Sequence, residues 1–168
     1  IHQLTEVIGN EFGQVPCRTP VILHSMKPTI YLDIDGVLLA NDHHAALHVD
    51  EFVATCVERG DQLYWLTTWC RGDSAPAIAR LKQTDMNPAT IELLFAHCKP
   101  VMWQDAKTEA IDFARPFLWF DDDLFADERE VLREHGVLDN WIEVALHKDE
   151  HHLQQFVQSF PLPIQDVD

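Results

Sequence analysis

The sequence predicts an α/β domain, a three-layer sandwich around a central, mainly parallel five-stranded sheet. Short runs of β-branched and aromatic residues alternate with longer stretches whose apolar residues recur at helical spacing. Strand–helix alternation calls for crossover connections, which cover both faces of a parallel sheet with helices. The chain has 168 residues, enough for one domain with one sizeable core, and shows neither an internal repeat nor a low-complexity linker.

Each element has its own signal. Residues 29–34, TIYLDI, read as a buried strand closed by Asp-Gly punctuation. In HVDEFVATCVERGD, Phe52, Val53, Cys56 and Val57 form a helical stripe, Asp50 is the expected N-cap and Gly60 the stop. QLYWLTTW is a second strand. DSAPAIARLKQ is a short helix capped by Asp73 or Ser74, with Pro76 tolerated in its first turn. PATIELLFAHC reads as a helix, PVMW as the third strand, and DAKTEAIDFAR as a helix carrying Lys107 at its start. PFLWFDDDL is a strand ending in three aspartates, DEREVLREHG a helix stopped by Gly136, WIEVAL the fifth strand, and DEHHLQQFVQSF a final amphipathic helix before Pro161 and Pro163. The domain organisation expected is an N-terminal extension over 1–27, with Met26 just ahead of the first strand, one α/β domain over 28–160, and a tail over 161–168.

Composition narrows the function classes. The formal net charge is −16, from 28 acidic and 12 basic side chains, which weighs against non-specific nucleic-acid binding. A local landing patch for nucleic acid would have to come from Arg71, Arg80 and Lys82. No apolar run is long enough for a membrane-spanning helix, and no segment reads as a signal peptide. Cys17, Cys56, Cys70 and Cys98 lack CxxC spacing, so reduced thiols in a cytoplasmic setting are expected.

Ligands of an open parallel sheet bind outside the carboxyl ends of its strands. The first strand ends in Asp33-Ile34-Asp35, the second in Thr67-Thr68, and the fourth in Asp121-Asp122-Asp123, while Lys107 follows the third. Carboxylates this close repel one another unless a cation offsets them. Magnesium takes a few carboxylates together with water and phosphate oxygens, and a phosphoryl group needs the positive charge that the ion and Lys107 supply. Aspartate can itself be the nucleophile, as an aspartyl-phosphate.

These stretches resemble the haloacid dehalogenase (HAD) superfamily of phosphohydrolases, whose motifs are matched in order by YLDIDGV, LYWLT, AKTEAI and FLWFDDD over roughly residues 28–160. The resemblance implies a Rossmannoid fold, Mg²⁺ as cofactor and a phosphorylated substrate. It makes Asp33 the nucleophile and a metal ligand, and Asp35 the general acid/base with its backbone carbonyl on the metal. Thr67 would hold the phosphoryl group and Lys107 neutralise its charge. Asp122 would be the third protein ligand, with Asp121 beside it as ligand or support. LTTWCRGDSAP, the DDDL run and LHKDEHHLQQF further resemble cap-less HAD domains associated with RNA-end repair, which would make a nucleic-acid end the partner.

Competing readings exist for most of these residues. Thr68 is an alternative to Thr67, and Lys99 to Lys107. A lysine at a helix N-terminus is unfavourable, which favours a role for Lys107. Asp123 suits a helix cap. The pairs His43-His44 and His151-His152 lack metal-site spacing and read as surface residues, with His43 or His44 near the site. The five tryptophans, Trp69 included, read as core. Residues 36–66 and 68–106 leave no room for a folded cap, so the site should be open. The expected function is a Mg-dependent phosphatase on a large phosphorylated substrate. A nucleotidase or phosphotransferase of the same fold, or an inactive HAD-like binding module, are the alternatives.

Overall fold

The computed structural model describes residues 26–164. Most of the expected N-terminal extension, Cys17 and the last residues of the tail lie outside the described residues.

The elements in chain order are β1 (Thr29–Leu32), α1 (Val49–Arg59), β2 (Gln62–Trp65), α2 (Ala75–Leu81), α3 (Pro88–His97), β3 (Cys98–Pro100), a 3₁₀ turn (Lys107–Ala110), β4 (Phe117–Asp121), α4 (Ala126–Glu134), a second 3₁₀ turn (Leu138–Asn140), β5 (Trp141–Glu143) and α5 (His152–Gln158). The five strands form one sheet in the order β3-β2-β1-β4-β5, every pair parallel. The chain builds outward from β1 to β3, then returns to the other side of β1 for β4. That reversal leaves a crevice between the carboxyl ends of β1 and β4, the switch point where ligands of such sheets bind.

Strand alternation divides the core into two layers. Ile30, Leu32, Trp65, Leu118 and Phe120 join one buried cluster with Phe52, Val53 and Leu153 of α1 and α5. Tyr31, Phe117 and Trp119 point the other way, into a cluster with Trp103, Ile111 and Leu132. Each layer removes several large side chains from water, at about 1.5–3 kcal/mol for each one fully buried. No cap is inserted. The chain between β1 and α1 is a tight excursion in which Leu38 and Leu39 donate to the Ile34 carbonyl and Ala46 donates back to Leu38. Val37, Leu38 and Leu39 are buried there.

Three local expectations are corrected. The third strand is Cys98–Pro100 rather than PVMW: α3 ends at His97, and the strand pairs with β2 through those three residues. DAKTEAIDFAR is not a helix. Its 3₁₀ turn stops at Ile111, and Asp112 then turns the chain by accepting from the Ala114 N–H. Pro116 further disfavours helix at the residue before it. Asp50 is not the cap of α1, which starts from His48 at φ 63°. Its carboxylate instead accepts from Asn87 Nδ2 at 3.2 Å and from the Thr90 hydroxyl, tying α1 to α3.

No described helix is long and apolar enough to cross a membrane. Cys56, Cys70 and Cys98 are unpaired, buried thiols.

Candidate functional site

The register of the sheet sets the centre of the site. Leu32 pairs with Phe120, so Asp33 and Asp121 leave adjacent strands side by side, with the Asp33 N–H donating to the Phe120 carbonyl at 3.1 Å. Period-two alternation puts both carboxylates on the Tyr31–Trp119 face. Asp33 is 8% exposed and Asp121 1%. One Asp33 oxygen accepts from the Ile34 N–H at 2.7 Å, and one Asp121 oxygen from Trp119 Nε1 at 2.9 Å.

Lys107 closes the pair. Its Nζ lies 2.9 Å from Asp33 Oδ2 and 2.6 Å from Asp121 Oδ2. Two glutamates hold the turn that aims it. Glu109 accepts from the N–H groups of Gln104, Asp105 and Ala106. Buried Glu128, on α4, accepts from the N–H groups of Lys107 and Phe125. These contacts satisfy donors that a turn's start leaves orphaned. Lys99, the alternative lysine, is exposed on the edge strand β3.

Asp122 completes a three-carboxylate cluster: one oxygen from each of Asp33, Asp121 and Asp122 lies within 4.8 Å of the others. Gly36, at φ +75°, makes room for it, since a Cβ there would fall 2.1 Å from Asp122 Oδ2. Asp123 turns to its own loop, accepting from the Leu124 N–H at 2.8 Å. Among the described residues no histidine joins a metal-binding cluster. His44 pairs with Asp85, and His48 with His151 at 2.9 Å.

The electrostatics follow from burial and proximity. Burial alone would lower Lys107, but Asp33 and Asp121 together outweigh it and hold the ammonium above its usual range. Burial, then repulsion from Asp33, pushes the Asp121 carboxyl up to about 8 against the opposing pull of Lys107. Asp122 is raised for the same two reasons, burial first. With all three carboxylates ionised, three negative charges face one positive charge, which leaves the net charge that a divalent cation complements. Oxygen-only ligands suit a hard ion such as Mg²⁺ or Ca²⁺.

The remaining expected residues sit around this centre. Thr67 is buried, and its hydroxyl accepts from the Trp69 N–H at 3.4 Å. Thr68 is exposed and lines the cleft over the cluster, a space of about 220 Å³ that also touches Asp33, Lys107, Asp122 and Phe125. Asp35 lies outside the carboxylate cluster: its Oδ2 accepts from Trp69 Nε1 at 2.6 Å, and its Oδ1 from Arg80 Nη2 at 3.2 Å. Trp69 is therefore not core but 40% exposed, because its indole N–H is spent on Asp35. Of the Arg71–Arg80–Lys82 landing patch, Arg71 and Lys82 are exposed but Arg80 is withdrawn. Arg80 is buried between Asp35 and Asp42, and Arg71 lies over the Trp103 ring at 3.8 Å while donating to the Gln104 carbonyl.

Sequence reading missed Trp119 and Glu128, and took Arg80 for part of a surface patch rather than a partner of Asp35. Trp119 had a signal, standing two residues before Asp121 on one strand face. Glu128 and Arg80 had none, since each meets its partner through tertiary packing. Comparison with family models, with curated proteins and with solved structures finds no match.

Proposed function

We propose that this chain is a cap-less, HAD-like phosphohydrolase that cleaves phosphomonoesters through an aspartyl-phosphate on Asp33, with Mg²⁺ as cofactor. The observation that carries the reading is the Lys107 ammonium bridging Asp33 and Asp121 inside a three-carboxylate cluster at the switch point of a parallel sheet. A purely structural ion pair would need one carboxylate; here three converge where ligands of this architecture bind.

Asp33, Asp122 and Asp121 would hold the ion, which supplies charge that draws phosphate oxygens in and stabilises the phosphoryl group in transfer. An Asp33 oxygen attacks phosphorus, the bond to the leaving oxygen breaks, and that oxygen takes a proton from the Asp35 carboxyl. Water then attacks phosphorus, giving its proton to Asp35, and the bond to Asp33 breaks, restoring both groups. Lys107 offsets charge between nucleophile and phosphoryl oxygens. The orienting hydroxyl comes from the Thr67–Thr68 pair, Thr67 by resemblance and Thr68 by its exposure to the cleft.

The cleft supports a large substrate. Its volume of about 220 Å³ is below the ~300–1,000 Å³ of pockets that enclose a small molecule. It suits the phosphoryl end of a bigger molecule, with binding energy supplied by contacts outside. Burial of Arg80 against Asp35 and Asp42 takes one of the three expected cations out of the patch on which a nucleic-acid end would dock. The test is hydrolysis of an aryl phosphate with Mg²⁺ by the wild type and by Asp33→Asn. An amide cannot form the acyl-phosphate, so the variant should lose turnover while its circular dichroism is retained; comparable rates would remove the nucleophile assignment.

A further inference from the structure

Asp35 is held by two groups that the proposed reaction has not used. Its side chain is about half exposed (50%), a setting in which a carboxylate ordinarily samples several rotamers. Here each oxygen has one donor: Trp69 Nε1 at 2.6 Å on Oδ2 and Arg80 Nη2 at 3.2 Å on Oδ1. The donors are themselves fixed. Arg80 is anchored independently by the Asp42 carbonyl at 2.8 Å and the Asp42 carboxylate at 3.1 Å. Its guanidinium carbon stands 5.4 Å from the Trp69 ring centroid, which closes a triangle of Asp35, Trp69 and Arg80. The Trp69 backbone is tied in turn to the Thr67 hydroxyl.

Stability does not explain this arrangement. Trp69 leaves 40% of its surface in water although the fold has two apolar layers to receive it. Arg80 is 7% exposed, and its Nε has no partner among the described residues, an unsatisfied buried donor that costs free energy. Both side chains accept a penalty and converge on one carboxylate, two residues beyond Asp33.

Building on the phosphohydrolase reading, we propose that Trp69 and Arg80 are positioning residues that lock the Asp35 carboxyl in the orientation proton transfer requires. A carboxylate offers about four lone-pair sites. Two donors occupy two, leaving one on each oxygen for the proton that passes to the leaving oxygen and returns from water. Proton transfer needs hydrogen-bond reach in a fixed geometry, and a misplacement near 1 Å costs on the order of 100-fold. The clamp draws on three separate segments, the loop after β1, the loop after β2 and α2.

The test is Trp69→Phe, which keeps the ring and removes the N–H. kcat/KM covers events only through transfer to Asp33, so it isolates proton donation to the leaving group. It is measured for an alkyl phosphate, whose leaving group needs the proton, and for 4-nitrophenyl phosphate, whose leaving group does not. The alkyl-to-aryl ratio should fall about tenfold. An equal loss on both esters, or an unchanged ratio, overturns the proposal. The contact is read separately from the indole N–H proton resonances: Asp35→Ala should move that of Trp69 upfield and leave those of Trp65 and Trp119 in place. An unmoved Trp69 signal overturns the clamp whether or not the protein is an enzyme. A wild type inert toward both esters overturns the phosphohydrolase reading itself, and with it the catalytic sense of the clamp.

Discussion

Replacing Lys107 with methionine tests the charge balance of the site without removing a carboxylate. The side chain keeps most of its length and loses its ammonium, which stands 2.9 Å from Asp33 and 2.6 Å from Asp121. Removing one partner of a buried ion pair costs about 3–5 kcal/mol. Once Asp121 is ionised, the repulsion left unopposed is of the same order: even at the outer separation of 4.8 Å, two unit charges repel by about 3–4 kcal/mol at an effective dielectric of 20. For a domain of this size the loss corresponds to a fall in Tm of roughly 6–20 °C. The pH dependence has a definite sign. Asp121 holds its proton up to about 8 in the folded chain against a usual 3.8, so its contribution to stability falls as pH rises from about 4 to about 8. Without Lys107 its pKa rises further, and the fall continues beyond 8. The penalty of Lys107→Met should therefore grow between pH 7 and pH 9, by at most about 1.4 kcal/mol per pH unit. Mg²⁺ at 100 times its dissociation constant should return about 2.7 kcal/mol. Urea unfolding of both proteins at the two pH values, with and without Mg²⁺, reads all three effects. A variant as stable as the wild type, or one that Mg²⁺ does not help, would refute the reasoning.

Three more substitutions address the ligands. Gly36→Ala places a Cβ where Asp122 Oδ2 now lies and strains a backbone at φ +75°, so it should weaken Mg²⁺ binding at least about tenfold and cost ~1–2 kcal/mol of stability; calorimetric titration and a thermal melt check the two effects, and intact affinity would show that Asp122 need not sit there. Asp122→Ala should damage Mg²⁺ binding more than Asp123→Ala, because Asp123 is committed to the Leu124 N–H; the reverse order in the same titration would move the third ligand one residue along.

The sequence by itself determined the α/β class, the five strands, the lack of room for a cap and the group of polar residues at the strand ends. These features are written in local chemistry: period-two apolar runs, helical stripes, Gly and Pro stops, and aspartates directly after buried segments. It also singled out Lys107 over Lys99, the residue that reaches Asp33. What it misjudged has a common cause. DAKTEAIDFAR carries helical spacing, yet Glu109 and Glu128 hold its start as a single 3₁₀ turn through backbone contacts, one of them reaching across from α4. Trp69 has the composition of a core residue, yet its indole N–H meets Asp35, which is 34 residues away along the chain. Arg80 looked free to form a surface patch and is buried by the excursion that carries Asp42. Only the tertiary structure decided these three, because each depends on a partner brought near by strand order and register. Local sequence records what a residue prefers; a hydrogen bond across 20 to 45 residues exists only once the sheet has placed both ends together.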